Sequence, residues 1–302
     1  MITVSPHPTE LFSLQASVNG LTVFLDNFAL KELAKGSKDR RARFITTLER
    51  GVEVMFCVSN AAELSGPQGR SFDEIRTFLD EIGTHWFPVE SDPIICVKRE
   101  QQSLNPMMCC FSENLLKVFT ATRLKRSPEI KIADLPASLP SDFFRLGTFM
   151  DWLAPMRKEI IAGKAQLGIR LRDQIIEHWV EYKRNPGWLD AHFPELPFRA
   201  DRPATFIYMN LVRLLILESK ARVIVPNDGI DFAQAVISSA YASVATLDKH
   251  WKRRINMILP KPKPNGLAQI YYQQELDKMV RDIERYLDEA SLQRGRALFS
   301  VS

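Results

Sequence analysis

Cysteine and histidine are both scarce in this sequence, and neither falls in a pattern that carries chemistry. The four cysteines, Cys57, Cys96, Cys109 and Cys110, form no CxxC pair and two are adjacent, which argues against a disulfide framework or a structural zinc site. The five histidines are scattered, so no His-centred triad or zinc centre is expected. Long apolar runs are missing too. The most apolar stretch, Phe206 to Leu217, is interrupted by Asn210 and Arg213 and is too short to span a bilayer. The opening MITVSPHPTELFSLQ has no basic region leading into an apolar core. No secretory leader is therefore expected, and a cytoplasmic protein with no membrane partner is the simplest expectation. No internal repeat is evident.

What is present suits a folded chain. At 302 residues, 25% charged and 45% hydrophobic, it can bury a full core as one large domain or as a domain with a sizeable insertion. The net charge of +4 permits a nucleic-acid partner without demanding one.

Residues 1 to about 20 read as irregular, because Pro6 and Pro8 discourage early structure. Leu21 to Asp26 reads as a strand, followed by a helix stopped by Gly36, a second helix from Asp39 to Arg50, and a strand from Val52 to Val58. Ser65 to Gly69 is a break. A helix from Ser71 to Ile82 and a strand from Trp86 to Val89 come next. This alternation predicts right-handed crossovers and a parallel sheet. From 93 to 200 the pattern weakens. That segment is expected to be a mostly helical insertion between the third and fourth strands, dividing a domain made of 1–92 and 201–302. Its helices are placed near Ile94–Gln102, Ser112–Phe119, Phe143–Ala162 and Leu167–Tyr182, with Pro128, Pro136 and Pro140 marking a linker. A helix from Ala204 to Lys220 follows. Ala268 to Tyr272 reads as a last strand, and Gln273 to about Ala290 as a helix covering the sheet.

The stretch PNDGIDFAQAVISSAYASVATLDKHW, Pro226 to Trp251, organises the rest. It reads as a turn, a helix from Ile230 to about Tyr241, and a short strand, Ala242 to Thr246, that stops at Asp248. In open parallel sheets ligands bind beyond the carboxyl ends of the strands. Asp26 closes its strand in the same way, and Glu63 lies one turn into the helix that begins at SNAAEL. If the strands are parallel neighbours, Asp26, Glu63, Asp228 or Asp231, and Asp248 meet at one edge. Crowded carboxylates repel one another unless a cation neutralises them, which points to Mg²⁺ or Mn²⁺.

This order of acids resembles the PIN-domain superfamily of metal-dependent ribonucleases, which includes the toxin nucleases of toxin–antitoxin systems. In that family an Asp ends the first strand and a Glu follows the second strand on a helix. A further Asp opens the helix before the fourth strand, and another lies just beyond that strand, often after Thr. Asp26, Glu63 in NAAEL, Asp231 in DFAQAVISSA and Asp248 in ATLDKHW match in order, and Thr246 matches the polar strand end. The resemblance covers roughly 21–90 and 202–272 and leaves the insertion unmatched. It implies a three-layer PIN-like fold whose acids hold one or two divalent ions, with Asp26 as bridging ligand. Asp231 is favoured over Asp228, which would cap the helix or bind in the outer sphere. Thr246 or Asn60 would hydrogen-bond a ligand water or the phosphate. The implied chemistry is phosphodiester hydrolysis, with RNA ahead of DNA, and the family commonly forms homodimers.

Lys249, Lys252, Arg253 and Arg254 follow the acids directly and are candidate phosphate contacts. Lys125 and Arg126 belong to a second basic group that could form another wall of a groove, although a charge run is more often a solvated face. Each acid also has a plainer reading. Asp26 and Asp248 can cap the helices after them, Asp231 can complement a helix dipole, and Glu63 can be solvated. Two other functions stay open beside the nuclease: a nucleic-acid-binding or scaffold protein without turnover, and a structure-specific DNA nuclease. The insertion could bind substrate, shield the site or receive an inhibitory protein.

Overall fold

The structure, a computed structural model, describes residues 2–299 except 17, 19, 66–69, 103, 128, 136–138 and 219–224. The break at 66–69, the linker prolines 128 and 136 and the end of the helix expected to reach Lys220 lie outside the described residues.

The first twenty residues are not irregular. β1 (Ile2–Ser5) pairs antiparallel with β2 (Ser13–Ala16). Pro6 and Pro8 sit in the connecting loop, where a missing N–H costs nothing. The main body then begins. β3 (Thr22–Phe24), α1 (Asn27–Lys35), α2 (Lys38–Glu49), β4 (Glu53–Cys57), α3 (Val58–Leu64), α4 (Arg70–Ile82) and β5 (Trp86–Val89) follow in order. The insertion carries α5 (Pro93–Gln101), α6 (Pro106–Cys110), α7 (Glu113–Arg126), α8 (Leu146–Leu153), α9 (Arg157–Arg184) and α10 (Gly187–His192). The chain closes with α11 (Pro203–Leu217), α12 (Pro226–Tyr241), β6 (Val244–Thr246), α13 (Lys249–Ile258), β7 (Gln269–Tyr271) and α14 (Leu276–Phe299).

The five strands β3 to β7 form one sheet in the order β5-β4-β3-β6-β7, and every pairing is parallel. The strands are short and buried on both faces, which is why they read as continuous apolar runs. Helices flank the sheet in an α/β arrangement. α1, α2, α4, α8 and α14 pack among themselves, as do α5, α9, α11, α12 and α13, and α3 touches members of both groups.

Two helices differ from expectation. The Pro-Asn-Asp-Gly segment is no turn but the first turn of α12. Pro226 occupies a position where its absent N–H is harmless, and the Asp228 carboxylate accepts the Val225 N–H at 2.7 Å. In the insertion, the break falls at the 3-10 turn Ala154–Met156 around Pro155, and α9 then runs unbroken for 28 residues, about 42 Å. Glycine inside a helix costs only about 1 kcal/mol. At Gly168 the α9 backbone meets Gly229 of α12, where the lack of a side chain serves packing, since a Cβ on Gly229 would lie 2.3 Å from the Gly168 Cα.

The insertion and the body share one buried apolar cluster, from Val23 and Phe56 through Trp86 to Phe119 and Phe149. The Phe149 and Trp86 rings lie 4.6 Å apart and Phe119 meets Phe149 edge-on at 5.3 Å. A buried carboxylate also ties the two together. Glu100 of α5 accepts the Ala204 and Thr205 N–H groups at the start of α11, the Thr205 hydroxyl and the Tyr241 hydroxyl, all at 2.7–2.8 Å. A carboxylate at a helix N-terminus satisfies donors that the helix leaves open.

Candidate acidic centre at the switch point of the sheet

From β3 the chain moves outward through β4 to β5, and from β6 it moves the other way to β7. The order therefore reverses between β3 and β6, and the crevice beyond their carboxyl ends is where open α/β sheets place ligands. Asp26 lies two residues past β3 and Asp248 two residues past β6.

Both are helix caps, with extended backbones at φ −66° and −63°. Asp26 Oδ1 accepts the Ala29 N–H at 2.8 Å, and Asp248 Oδ1 accepts the Trp251 N–H at 2.8 Å. The plainer reading of these two acids is thus real, but it occupies one oxygen of each. Thr246 is 1% exposed and turns its hydroxyl to Asp26, accepting the Asp26 N–H at 2.8 Å and donating to Oδ1 at 3.0 Å. It holds Asp26 in place across the switch point.

α3 and α12 bring in the other acids. Spacings of four and three residues put Ser59 on the face of Glu63 and Gln234 on the face of Asp231. Gln234 Nε2 donates to Ser59 Oγ at 3.0 Å, and both side chains are buried. This bond joins the acid-bearing faces of the two helices. Glu63 Oε2 accepts from Asn27 Nδ2. Asn27 Oδ1 accepts from Asn60 Nδ2 at 3.1 Å, and Asn60 Oδ1 accepts the Cys57 N–H at 3.1 Å. Asn60, fully buried, is committed to this chain and to the Leu25 carbonyl, so it does not face a substrate.

The electrostatics are those of neighbouring anions. Burial pushes the Asp231 carboxyl up to about 7, and the charges of Asp248, Glu63, Asp228 and Asp26 push in the same direction. Burial also raises Asp26, against the lowering effect of the Ala29 and Thr246 hydrogen bonds. Asp228 is the helix-capping acid, while Asp231 stands half-buried among the other acids. The donor set is carboxylate oxygen, the hard ligand type that suits Mg²⁺ and Mn²⁺. Among the described residues no three His, Cys, Asp or Glu side chains are gathered as metal ligands.

No family model, curated protein or solved structure matches this chain.

The candidate phosphate contacts divide. Lys252 pairs with Glu275 and lies 5.0 Å over the Tyr272 ring, and Arg254 pairs with Glu218 at 3.0 Å and lies 4.8 Å over Trp251. These two fasten α13 to its surroundings. Lys249 and Arg253 are exposed with no ion pair among the described residues, and His250 beside them is exposed too. Lys125 and Arg126 are not another wall of this centre. α7 starts beside the end of β5, where Ser112 N–H meets the Pro88 carbonyl. It finishes near Phe143 and Phe144, whose carbonyl takes the Trp86 indole N–H at the amino end of β5.

Asn27, Ser59 and Gln234 were missed as positioning groups. The available signal was polarity out of place: Gln234 interrupts an apolar run from Phe232 to Ile237, and Asn27 directly follows Asp26.

Proposed function

We propose that this chain is a divalent-metal-dependent nuclease of PIN-like type that hydrolyses phosphodiester bonds in RNA. What supports the reading is that Asp26 and Asp248 follow the two strands at the switch point of a parallel sheet and that their charges, with that of Glu63, act on the half-buried Asp231. Asp26, Glu63, Asp231 and Asp248 would hold Mg²⁺ or Mn²⁺. The bound cation would supply water activation and would offset charge on the phosphoryl and leaving oxygens. Thr246 fixes Asp26, and the Ser59–Gln234 bond fixes the helices that carry Glu63 and Asp231. Lys249 and Arg253, exposed on the first two turns of α13, would contact the phosphates flanking the scissile one. The preference for RNA rests on the family resemblance alone.

A second reading is a chain that binds nucleic acid or a partner without turnover. It is favoured by the capping roles of Asp26 and Asp248. One experiment separates the two. Full-length protein and Asp26→Asn are incubated with labelled single-stranded RNA and DNA in Mn²⁺, Mg²⁺ or EDTA. Metal-dependent RNA cleavage that disappears in the variant is the expected outcome. Binding without cleavage in every buffer selects the second reading, and cleavage that survives Asp26→Asn sinks the four-acid site.

A further inference from the structure

We infer that Asn60 and Asn27 form a one-way amide relay that sets how Glu63 faces the acidic centre, making both positioning residues for metal binding. The inference rests on the metal-dependent reading above.

The direction of the relay follows from its fixed end. A backbone N–H can only donate, so the Cys57 N–H, 3.1 Å from Asn60 Oδ1, fixes which side of the Asn60 amide is oxygen. The Asn60 amino group must then point the other way, where it meets the Leu25 carbonyl at 3.4 Å and Asn27 Oδ1 at 3.1 Å. With its oxygen committed, Asn27 has only its amino group to offer, and that group donates to Glu63 Oε2. No link can turn over without setting like against like. Asn60 has no exposed surface and Asn27 only 9%, so water does not readily replace a broken link. Asn27 also follows Asp26, whose carboxylate is pinned separately by Ala29 and Thr246. Two acids on different elements are thus held in relation to each other through one amide.

The consequence is unusual for a residue that touches no acid. Asn60→Asp keeps an acceptor for the Cys57 N–H but replaces the donor facing Asn27 with a second acceptor. Asn27 then turns its amino group to residue 60 and its carbonyl to Glu63, which loses the Asn27 donor. Asn27→Leu removes the same donor directly at similar volume.

The test is isothermal titration of Mn²⁺ into the full chain, wild type and variants, with thermal melts run beside it. Support is a 10- to 100-fold weaker Mn²⁺ affinity in Asn27→Leu, the range seen when groups behind metal ligands are changed. Asn60→Asp should lose affinity to a similar degree, and the double variant should lose no more than either single one. Asn27→Leu carries the test alone where Asn60→Asp does not fold. Wild-type binding matched within twofold by Asn27→Leu overturns the relay while leaving the metal centre standing. Lost affinity in Asn27→Leu with full affinity in a folded Asn60→Asp overturns the transmission from Asn60. Absence of Mn²⁺ binding in the wild type overturns both the metal-dependent reading and the relay.

Discussion

Replacing Asp231 with Asn probes the acidic centre without any substrate. The Asp231 carboxyl is raised from 3.8 to about 7, and each unit corresponds to about 1.4 kcal/mol. In the folded chain this carboxyl holds its proton more tightly than in the unfolded chain. Its contribution to stability is therefore fully present below pH 3.8 and is lost as the pH rises through 7. In metal-free buffer at pH 8 the loss is about 4 kcal/mol if all of the shift reflects burial and repulsion, or about 2 kcal/mol with half of that screened by water. Asparagine carries no charge at any pH, so Asp231→Asn is expected to melt about 4–8 °C above the wild type in EDTA at pH 8. About a third to two thirds of that gap should vanish by pH 5. Saturating Mn²⁺ should stabilise the wild type by about 2.7 kcal/mol at a hundredfold excess over Kd and close or reverse the gap. A variant less stable than wild type in EDTA at pH 8, or a gap indifferent to pH, would refute the crowding of these acids.

Thr246→Val removes the hydroxyl that both donates to and accepts from Asp26 and should cost about 1–3 kcal/mol in urea unfolding; unchanged stability would show that Asp26 is held by its cap alone. Glu100→Ala leaves four donors without their acceptor and is expected to lose about 3–5 kcal/mol, so a loss below about 1 kcal/mol would mean those donors find other partners. Lys249→Glu with Arg253→Glu should weaken RNA binding and flatten its dependence on salt by about 0.7 per lost contact in a log–log plot. Lys252→Ala and Arg254→Ala should mainly lower the melting temperature, and the reverse division would reassign the phosphate contacts. Gly229→Ala must push α9 away from α12 and should destabilise by about 1–3 kcal/mol, measured by denaturant; a neutral substitution would mean the two backbones can part freely.

The strands were readable because a parallel strand buried on both faces leaves a plain signature: Val23 and Phe24, or Val54 to Cys57, are apolar without alternation. Their ends were readable for the same reason, since Asp26 and Asp248 each stop such a run. The strand order was not, because neighbours such as β3 and β6 are joined by contacts more than 200 residues apart in the chain. The amino-terminal hairpin escaped because the two prolines that argue against a strand lie in its loop, leaving only four-residue arms to speak for it. The course of α9 was misread at Gly163, where glycine resembles a stop but its modest cost is carried by the surrounding helix. Within the site the acids stood out by charge; Thr246 and Asn60 were noticed only as groups for a ligand water or phosphate, and Gln234 was not noticed. Thr246, Asn60 and Gln234 are common polar residues whose roles depend on which atom faces which, and that is settled only when separate elements meet.

The backbone contact between Gly168 and Gly229 restricts how this protein can drift over generations. Position 229 cannot acquire a side chain while the helices keep their spacing, since its Cβ would meet the backbone at Gly168. Position 229 should therefore stay glycine in any lineage that retains this fold and this helix spacing. The contact binds the history of the insertion to that of the helix carrying Asp231, so an exchange that replaced the insertion wholesale would have to bring a helix backbone to the same crossing against Gly229.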